Sequence, residues 1–531
     1  MINTSETKAG FIQKLYNRSV FIAASLFFGY VTVRMFFPVL KSKTLPLKGQ
    51  MAFLVFTLGF LVMWATDRAI VRKMAQRTAI ITISVLLALN VTLQAICLYN
   101  LVVTPSWDFG VVMNAATNIS DGQKISYWKY FLEYPYNLYT AVYIGAFRTF
   151  FGGHGLAPYL LNMLSVTVSI IGACLLAFRL YGRRAAVLAA LLSLTISPFY
   201  LDIPIVYTDT LSMPFVIWTV YVWTYVRTSK RKLLLYCVIL GMLSALGFLI
   251  KQIAAVGIIA FVVDFVFNGV GYFKGLHTHG NPRFEKFQAI IPVTASVIAF
   301  LTVVYANMFY LSNTGFNSRT YGYDKLPFTH WLMMGMNKSY AEGGTSYGYG
   351  GFSAEDLKFT RLFITTSSMQ QANIGVIKTR LNRFGMVGYA KFLLKKAEWT
   401  WTDGTYFIPV KLGRFPLKQN VLHKIILTSN GKMNTLFRSL TQFVQTVILS
   451  MILVGCIAAL LTRKTDETFR LMVLMCLGLM VFLLFWETRS RYLIFMLPVF
   501  AVMTVHGLLI TFNWLDRAAA YLWRKYVAIG T

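Results

Sequence analysis

A series of long apolar runs constrains this chain more than any other feature. Stretches near 20–40, 51–67, 79–103, 158–179, 185–201, 209–227, 232–249, 252–269, 288–311, 439–462, 470–486 and 492–514 each approach a bilayer-crossing length, which is about 17 to 25 residues for a helix. The predicted fold class is an all-α polytopic membrane protein of about twelve transmembrane helices. Composition agrees: 57% of the 531 residues are hydrophobic and only 13% charged, against roughly 45–50% and about 25% in soluble domains. A soluble enzyme, a disordered chain and a disulfide-stapled scaffold are excluded on that ground.

A thirteenth stretch, 137–151, is short and carries Arg148, so it is expected to lie at the membrane surface rather than cross it. The positive-inside rule supports that choice. With the N-terminus cytoplasmic, inside segments hold Arg68, Arg72, Lys73 and Arg77, then Arg179, Arg183 and Arg184, then Arg227, Lys230, Arg231 and Lys232. Further inside segments hold Lys274, Arg283 and Lys286, Arg463, Lys464 and Arg470, and Arg517, Arg524 and Lys525. Short outside loops hold fewer, with Lys41, Lys43 and Lys48 in one and Lys124 and Lys129 in another. The net charge of +31 therefore reports topology, not a nucleic-acid partner.

Two outside segments are long, 104–157 and 312–438, the second preceding the last three spans. They divide the chain into a transmembrane module (1–311) that includes the first outside loop, an extracytoplasmic loop domain (312–438) and a C-terminal transmembrane module (439–531). The first apolar run lacks a small-residue cleavage site and is expected to remain as a span. Cys97, Cys174, Cys237, Cys456 and Cys476 all fall inside apolar runs without CxxC spacing, which reads as core packing. Gly343 to Phe352 (GGTSYGYGGF) reads as a mobile loop whose tyrosines could also stack on a sugar.

Ionisable residues near membrane depth are costly and tend to serve function. They occur at Asp108, Asp121, Glu133-Tyr134-Pro135-Tyr136, Tyr207-Thr208-Asp209-Thr210, Lys251 and Glu487-Thr488-Arg489-Ser490-Arg491-Tyr492. In this topology all face outside, at one membrane level. Each has a plainer reading: Asp108 and Asp209 could cap helices, and Arg489 and Arg491 could pair with Glu487 or snorkel. A carboxylate with several cations fits sugar transfer from a lipid-phosphate donor. The base takes the acceptor hydroxyl's proton, and fixed cations hold the departing phosphate.

An acidic residue just after a span, Tyr134-Pro135-Tyr136 leading into a surface helix, and Phe150-Phe151-Gly152 at its end resemble the membrane glycosyltransferases of the GT-C fold. Arg179-Leu180-Tyr181-Gly182-Arg183-Arg184, Tyr207-Thr208-Asp209-Thr210 and Arg489-Ser490-Arg491-Tyr492 are similar to the protein O-mannosyltransferase and lipid A aminoarabinose transferase superfamily. The likeness covers most of 100–270 and the region 487–500. The segment from Pro327-Phe328-Thr329-His330-Trp331 to Trp401-Thr402-Asp403-Gly404-Thr405-Tyr406-Phe407 looks like members from Gram-positive bacteria.

The resemblance implies Asp108 as catalytic base and Lys251, Arg489 and Arg491 as ligands of the donor phosphate. It places Glu133 at the substrate cavity; Tyr134, Asp209, His330, Glu487 and Tyr492 are further candidates for substrate contact, with His330 alternatively bonding only within its own fold. It also implies a polyprenyl-phosphate sugar donor, a cell-envelope acceptor (wall polysaccharide, teichoic acid, lipid or protein) and an active site on the outer side of the cell membrane. Many relatives carry Asp-Glu at the first site, where Phe109 follows Asp108 here. Trp401-Thr402-Asp403-Gly404 partly matches a peptide-binding motif of oligosaccharyltransferases but is expected to be structural.

No resident cofactor or metal is predicted, although a divalent metal is compatible with such chemistry. His277 and His279 lack acidic or cysteine partners at ligand spacing, and neither GxGxxG nor GxxxxGK[ST] occurs. The basic stretch Lys378, Arg380, Arg383, Lys391, Lys395 and Lys396 before Trp399 and Trp401 predicts a helix on an anionic membrane surface, or a face for an anionic wall polymer. The alternative function is a transporter or flippase of lipid-linked envelope precursors, for which inverted repeats and midplane charges are not evident.

Overall fold

The computed structural model describes residues 4–38, 49–228, 232–272, 282–313, 325–340, 347–428, 431–462 and 466–527. His277, His279, Lys41, Lys43, Lys48, Lys230, Arg231, Lys274, Arg463, Lys464 and Gly343 to Ser346 lie outside them. The membrane helices are α1 (Thr4–Phe36), α2 (Gly49–Ala69), α3 (Gln76–Asn100), α7 (Ala157–Tyr181), α8 (Arg183–Thr195), α11 (Met213–Thr228), α12 (Leu233–Ile250), α13 (Val256–Tyr272), α14 (Pro282–Asn313), α20 (Lys432–Thr462), α21 (Glu467–Phe485) and α22 (Leu497–Val527). Each matches one of the twelve apolar runs. Nine spans among the described residues are long and apolar enough to cross a membrane. The helices α8, α11 and α13, of 13, 16 and 17 residues, are shorter than a full crossing.

Apolar character around the whole helix circumference explains the exposed Leu26, Val62, Val85, Val266, Phe309 and Leu461: with a lipid solvent, the outer surface stays apolar as well. Inside, Phe21, Phe28, Trp223, Phe261, Phe469 and Phe500 belong to one contiguous core. The five cysteines are buried and free.

Between α3 and α7 lie α4 (Trp107–Ser120), α5 (Trp128–Glu133) and α6 (Pro135–Phe150). The proline opens α6 at N1, where its missing N–H costs nothing. Buried Phe109, Val112, Leu138, Ala141 and Ile144 join α4 to α6 in a second core. Phe150 and Phe151 stay exposed at the end of α6. The short α9 (Pro198–Leu201) and α10 (Thr208–Leu211) cross between α8 and α11.

The second outside segment holds α15 (Phe328–Met334), a two-stranded antiparallel sheet of β1 (Lys338–Tyr340) and β2 (Tyr347–Tyr349), α16 (Ala354–Thr360), α17 (Thr366–Trp401), α18 (Ile408–Leu412) and α19 (Val421–Leu427). A capping box of Thr365 and Ser368 starts α17, and Gly385, at φ 61°, bends it. Ala397, Trp401 and Tyr406 enter the main core, so this segment packs onto the helix bundle.

Chain direction sorts the charges. One end of the bundle gathers the end of α3, the start of α7, the α12–α13 turn and the α21–α22 connection, with both long segments beside it. Asp67, Arg72, Arg184, Asp466 and Asp516 lie at the opposite end, near the end of α2, the start of α8, the start of α21 and the far half of α22.

Candidate active site

The loop end encloses a cavity of about 540 Å³. Its wall takes Trp107 and Asp108 from α4, Tyr134 and Tyr136 from the start of α6, Tyr207, Lys251 from the end of α12, and Glu487, Arg489, Arg491 and Tyr492 from the α21–α22 connection. Groups almost 400 residues apart in sequence thus share one space. Phe248, Ile250, Ile253 and Phe482 give the wall an apolar side, and Trp331, Phe352 and Trp486 an aromatic one.

Asp108 lies in the first turn of α4, where the helix dipole favours a carboxylate. Ser106, not Asp108, occupies the N-cap position. Trp107 has φ +51°, a conformation that costs an L-residue roughly 1–2 kcal/mol and that marks functional sites more than others. Burial, Tyr207 and Asp108 together raise the Tyr130 pKa well above the ordinary value. Tyr130 in turn accepts from Asn137 Nδ2 at 2.6 Å, and Asn137 Oδ1 accepts from Tyr207 at 3.4 Å. A hydrogen-bonded chain of Tyr207, Asn137 and Tyr130 therefore runs beside the carboxylate.

Lys251 Nζ donates to Asp209 Oδ1 at 2.6 Å, and Arg491 Nη1 lies 3.8 Å from Asp209 Oδ2. Burial lowers the Lys251 pKa, opposed by the Asp209 charge. Arg491 also sits over the rings of Trp107, Tyr207 and Tyr492, with its guanidinium carbon 5.2, 5.8 and 5.2 Å from their centroids. Arg489 stacks over Phe407 at 4.7 Å. Aromatic faces of this kind stabilise a guanidinium without neutralising it. Burial raises the Glu487 carboxyl above its usual range, against the lowering effect of Arg489 and Arg491; the Tyr492 hydroxyl donates to it at 3.2 Å.

The loop segment registers the Glu487–Arg491 connection. Lys396 is fully buried and donates to Gly335 O and Trp486 O, both at 2.6 Å. Burial lowers its pKa to about 7, partly opposed by Glu487. Gly350, at φ +69°, passes so close that a Cβ there would lie 2.6 Å from Lys396 Nζ; its carbonyl accepts from Thr488 N at 2.7 Å. Asp403 accepts from Ser490 Oγ at 2.6 Å and from the backbone N–H groups of Thr405 and Phe407. Trp401 packs edge-on against Phe27 and Phe28. Trp401-Thr402-Asp403-Gly404 is thus a structural corner.

Not every sequence candidate reaches the cavity. Glu133 is buried behind it and takes a bidentate contact from Arg361 at 3.0 and 2.5 Å. Asp209 lies behind Lys251 and Arg491. The His330 ring is buried, bonds Thr360 at 2.8 Å and is held neutral, its pKa lowered to about 4 by burial and Arg361. Asp121 is partly exposed and pairs with Arg148 at 2.8 Å. The basic stretch of α17 is not one surface face: Lys396 is buried and Arg380 pairs with Asp356 at 2.6 Å. Lys378, Arg383 and Lys391 remain exposed. Sequence reasoning missed Tyr130, Asn137, Trp107 and Arg414, because polar aromatics and lone cations beside spans carry no distinctive spacing. Among the described residues, no group of three or more His, Cys, Asp or Glu side chains gathers as a metal site.

The family model for a conserved hypothetical integral membrane protein matches residues 5–509, and the chain belongs to that family. No curated protein sequence matches it. Two solved structures are similar at low identity. One is the Archaeoglobus fulgidus oligosaccharyltransferase in complex with zinc and sulfate (11% identity, TM-score 0.41, covering 84% of this chain and 51% of that one). The other is the archaeal oligosaccharyltransferase AglB from Archaeoglobus fulgidus with an inhibitory peptide and a dolichol-phosphate (13%, TM-score 0.42, 83% and 51%). The chain spans about half the length of either structure.

Proposed function

We propose that this protein is a membrane glycosyltransferase that moves a sugar from a polyprenyl-phosphate donor to a hydroxyl of a cell-envelope acceptor on the extracytoplasmic side. The observation that carries the reading is the joint presence of Asp108, Lys251, Arg489 and Arg491 on one cavity wall. That cavity falls in the usual size range of small-molecule sites, about 300–1,000 Å³.

In this reading Asp108 removes the acceptor proton as the new glycosidic bond forms at the anomeric carbon. The anomeric C–O bond to phosphate breaks, and its electrons leave with the lipid phosphate. Phosphate needs no acid to depart, which is why one carboxylate suffices where glycoside hydrolysis uses two. Arg489, Arg491 and Lys251 stabilise the growing charge on that phosphate. The apolar side at Phe248, Ile253 and Phe482 suits the prenyl chain, and Tyr134, Trp331 and Trp486 offer faces to the sugars. Transmembrane modules 1–311 and 439–531 would supply the catalytic groups, with loop domain 312–438 holding them in register. Glu133, Asp209 and His330 would position the wall rather than touch substrate.

Mass spectrometry of lipid-linked sugars and envelope polymers, with and without the gene, tests the reading. Accumulated donor beside an unmodified polymer is expected. Unchanged pools of both would overturn it, and transport of the lipid-linked sugar without any acceptor would favour a flippase.

A further inference from the structure

Arg414, in the turn after α18, lines the same cavity. Its guanidinium carbon lies 4.4 Å from the centroid of the Trp107 ring, the same indole over which Arg491 sits at 5.2 Å. Two arginines, one from the long outside segment and one from the α21–α22 connection, therefore share one aromatic platform, directly beside Asp108.

The position is fixed by the backbone around it. Thr104 N donates to Phe415 O at 2.9 Å and Leu417 N to Val102 O at 3.0 Å, while Val103 and Pro416 form an antiparallel bridge. Just upstream, buried Lys411 pairs with buried Asp202. Downstream, Asn420 Nδ2 donates to Asn100 O at 2.8 Å. Arg414 thus rides on a clasp that closes against the strand-like entry to α4.

Charge balance gives the residue its importance. Lys251 and Arg491 both lean on Asp209, and Asp108 and Glu487 line the wall. Among the groups that line the cavity, Arg414 brings the cations to four, with Lys251, Arg489 and Arg491, against the carboxylates of Asp108 and Glu487. The site thus carries a net positive charge, and guanidinium groups match phosphate oxygens bidentately.

The geometry points to Arg414 as a donor-phosphate ligand, the second arm beside Arg491 of an arginine pair mounted on Trp107. The large outside loop then builds part of the donor site instead of only covering it. This rests on the glycosyltransferase reading.

The test uses the full-length protein in lipid nanodiscs, with farnesyl phosphate and farnesol as probes and calorimetric titration as the readout. Wild-type protein is expected to bind the phosphate much more tightly than the alcohol. Arg414→Gln should weaken farnesyl phosphate binding about tenfold to a hundredfold, the range for a lost charge-assisted hydrogen bond, and leave farnesol binding alone. Lys418→Gln, on the same loop but bonded to Tyr99 O, should change neither. If Arg414→Gln fails to fold, Arg414→Lys decides the matter: it keeps the charge and loses the planar fork, and should bind several-fold more weakly. Variant affinity equal to wild type, with wild type preferring the phosphate, overturns the role of Arg414 alone. A wild type that binds both probes equally overturns the glycosyltransferase reading along with it.

Discussion

The two ends of the helix bundle use the same residue types to opposite effect. Away from the cavity, Asp67 takes Arg184 at 2.5 Å and Arg72 at 3.4 Å, Arg72 also reaches Asp516, and Tyr181 donates to Asp466. Deeper on that side, Asp264 holds Arg470 through both carboxylate oxygens at 2.8 and 3.2 Å and accepts from Tyr16. These charges close on one another and on neighbouring hydroxyls, and they fasten helices together. At the loop end the cations rest on aromatic faces, and the carboxylates are shared or set apart, around open space. Charges enclosed on every side by one another make structural ion pairs; charges that also line a cavity mark a place for a ligand.

That contrast can be broken by substitution, and the largest effect should fall on chemistry. Asp108→Asn is expected to lower sugar transfer by about 10²- to 10⁴-fold, the usual contribution of a general base, with unchanged Tm and donor affinity. Retained turnover would remove Asp108 from the mechanism. At the other end the largest effect should be on stability. Arg470→Met strands the buried Asp264 charge and should cost about 3–5 kcal/mol, read as thermal unfolding in detergent, while the Arg470→Met, Asp264→Leu pair should recover most of it. A single variant as stable as wild type would show that the pair is not closed as described.

Two pH dependences sharpen the contrast further. Lys396 has a folded pKa of about 7, below its ordinary 10.5, so burial penalises its charged form. Stability should therefore rise as pH climbs from about 7 toward 10.5, and Lys396→Met should flatten that part of the profile. His330, lowered from 6.5 to about 4, works on the acid side. The unfolded chain takes up the proton first, so stability should fall as pH drops from 6.5 to about 4, and His330→Gln should blunt the loss. The smallest effect belongs to Arg361→Ala. Its side chain is 45% exposed while Glu133 is 6% exposed, so water screens the contact and takes up part of the stranded carboxylate charge, and the cost should stay at about 1 kcal/mol. A larger shift in Tm would mean that Glu133 depends on this contact more than solvent screening allows.

The helical membrane architecture was legible because lipid demands long apolar segments, and these leave an unmistakable imprint. Asp108, Lys251, Glu487, Arg489 and Arg491 were legible for the converse reason: charge at the edge of an apolar run stands out. Tyr130 and Asn137 were not, since a tyrosine or asparagine near a span is ordinary, and only the fold brings their hydrogen-bonded pair beside Asp108. Lys396 was misread because a run of basic residues before two tryptophans looks like one exposed face. Burial of one member depends on where Gly335, Gly350 and Trp486 come to lie, which no local pattern encodes. The partnership of Glu133 with Arg361, 228 residues onward, is hidden in the same way.

The clasp between 102–104 and 415–417 has a bearing on how the protein is made. Its two sides leave the ribosome more than 300 residues apart, and Arg489 and Arg491 follow later still. A nascent chain carrying Asp108 would thus hold a carboxylate in a half-built groove through most of synthesis. Competence would arrive only with the final helices, all at once.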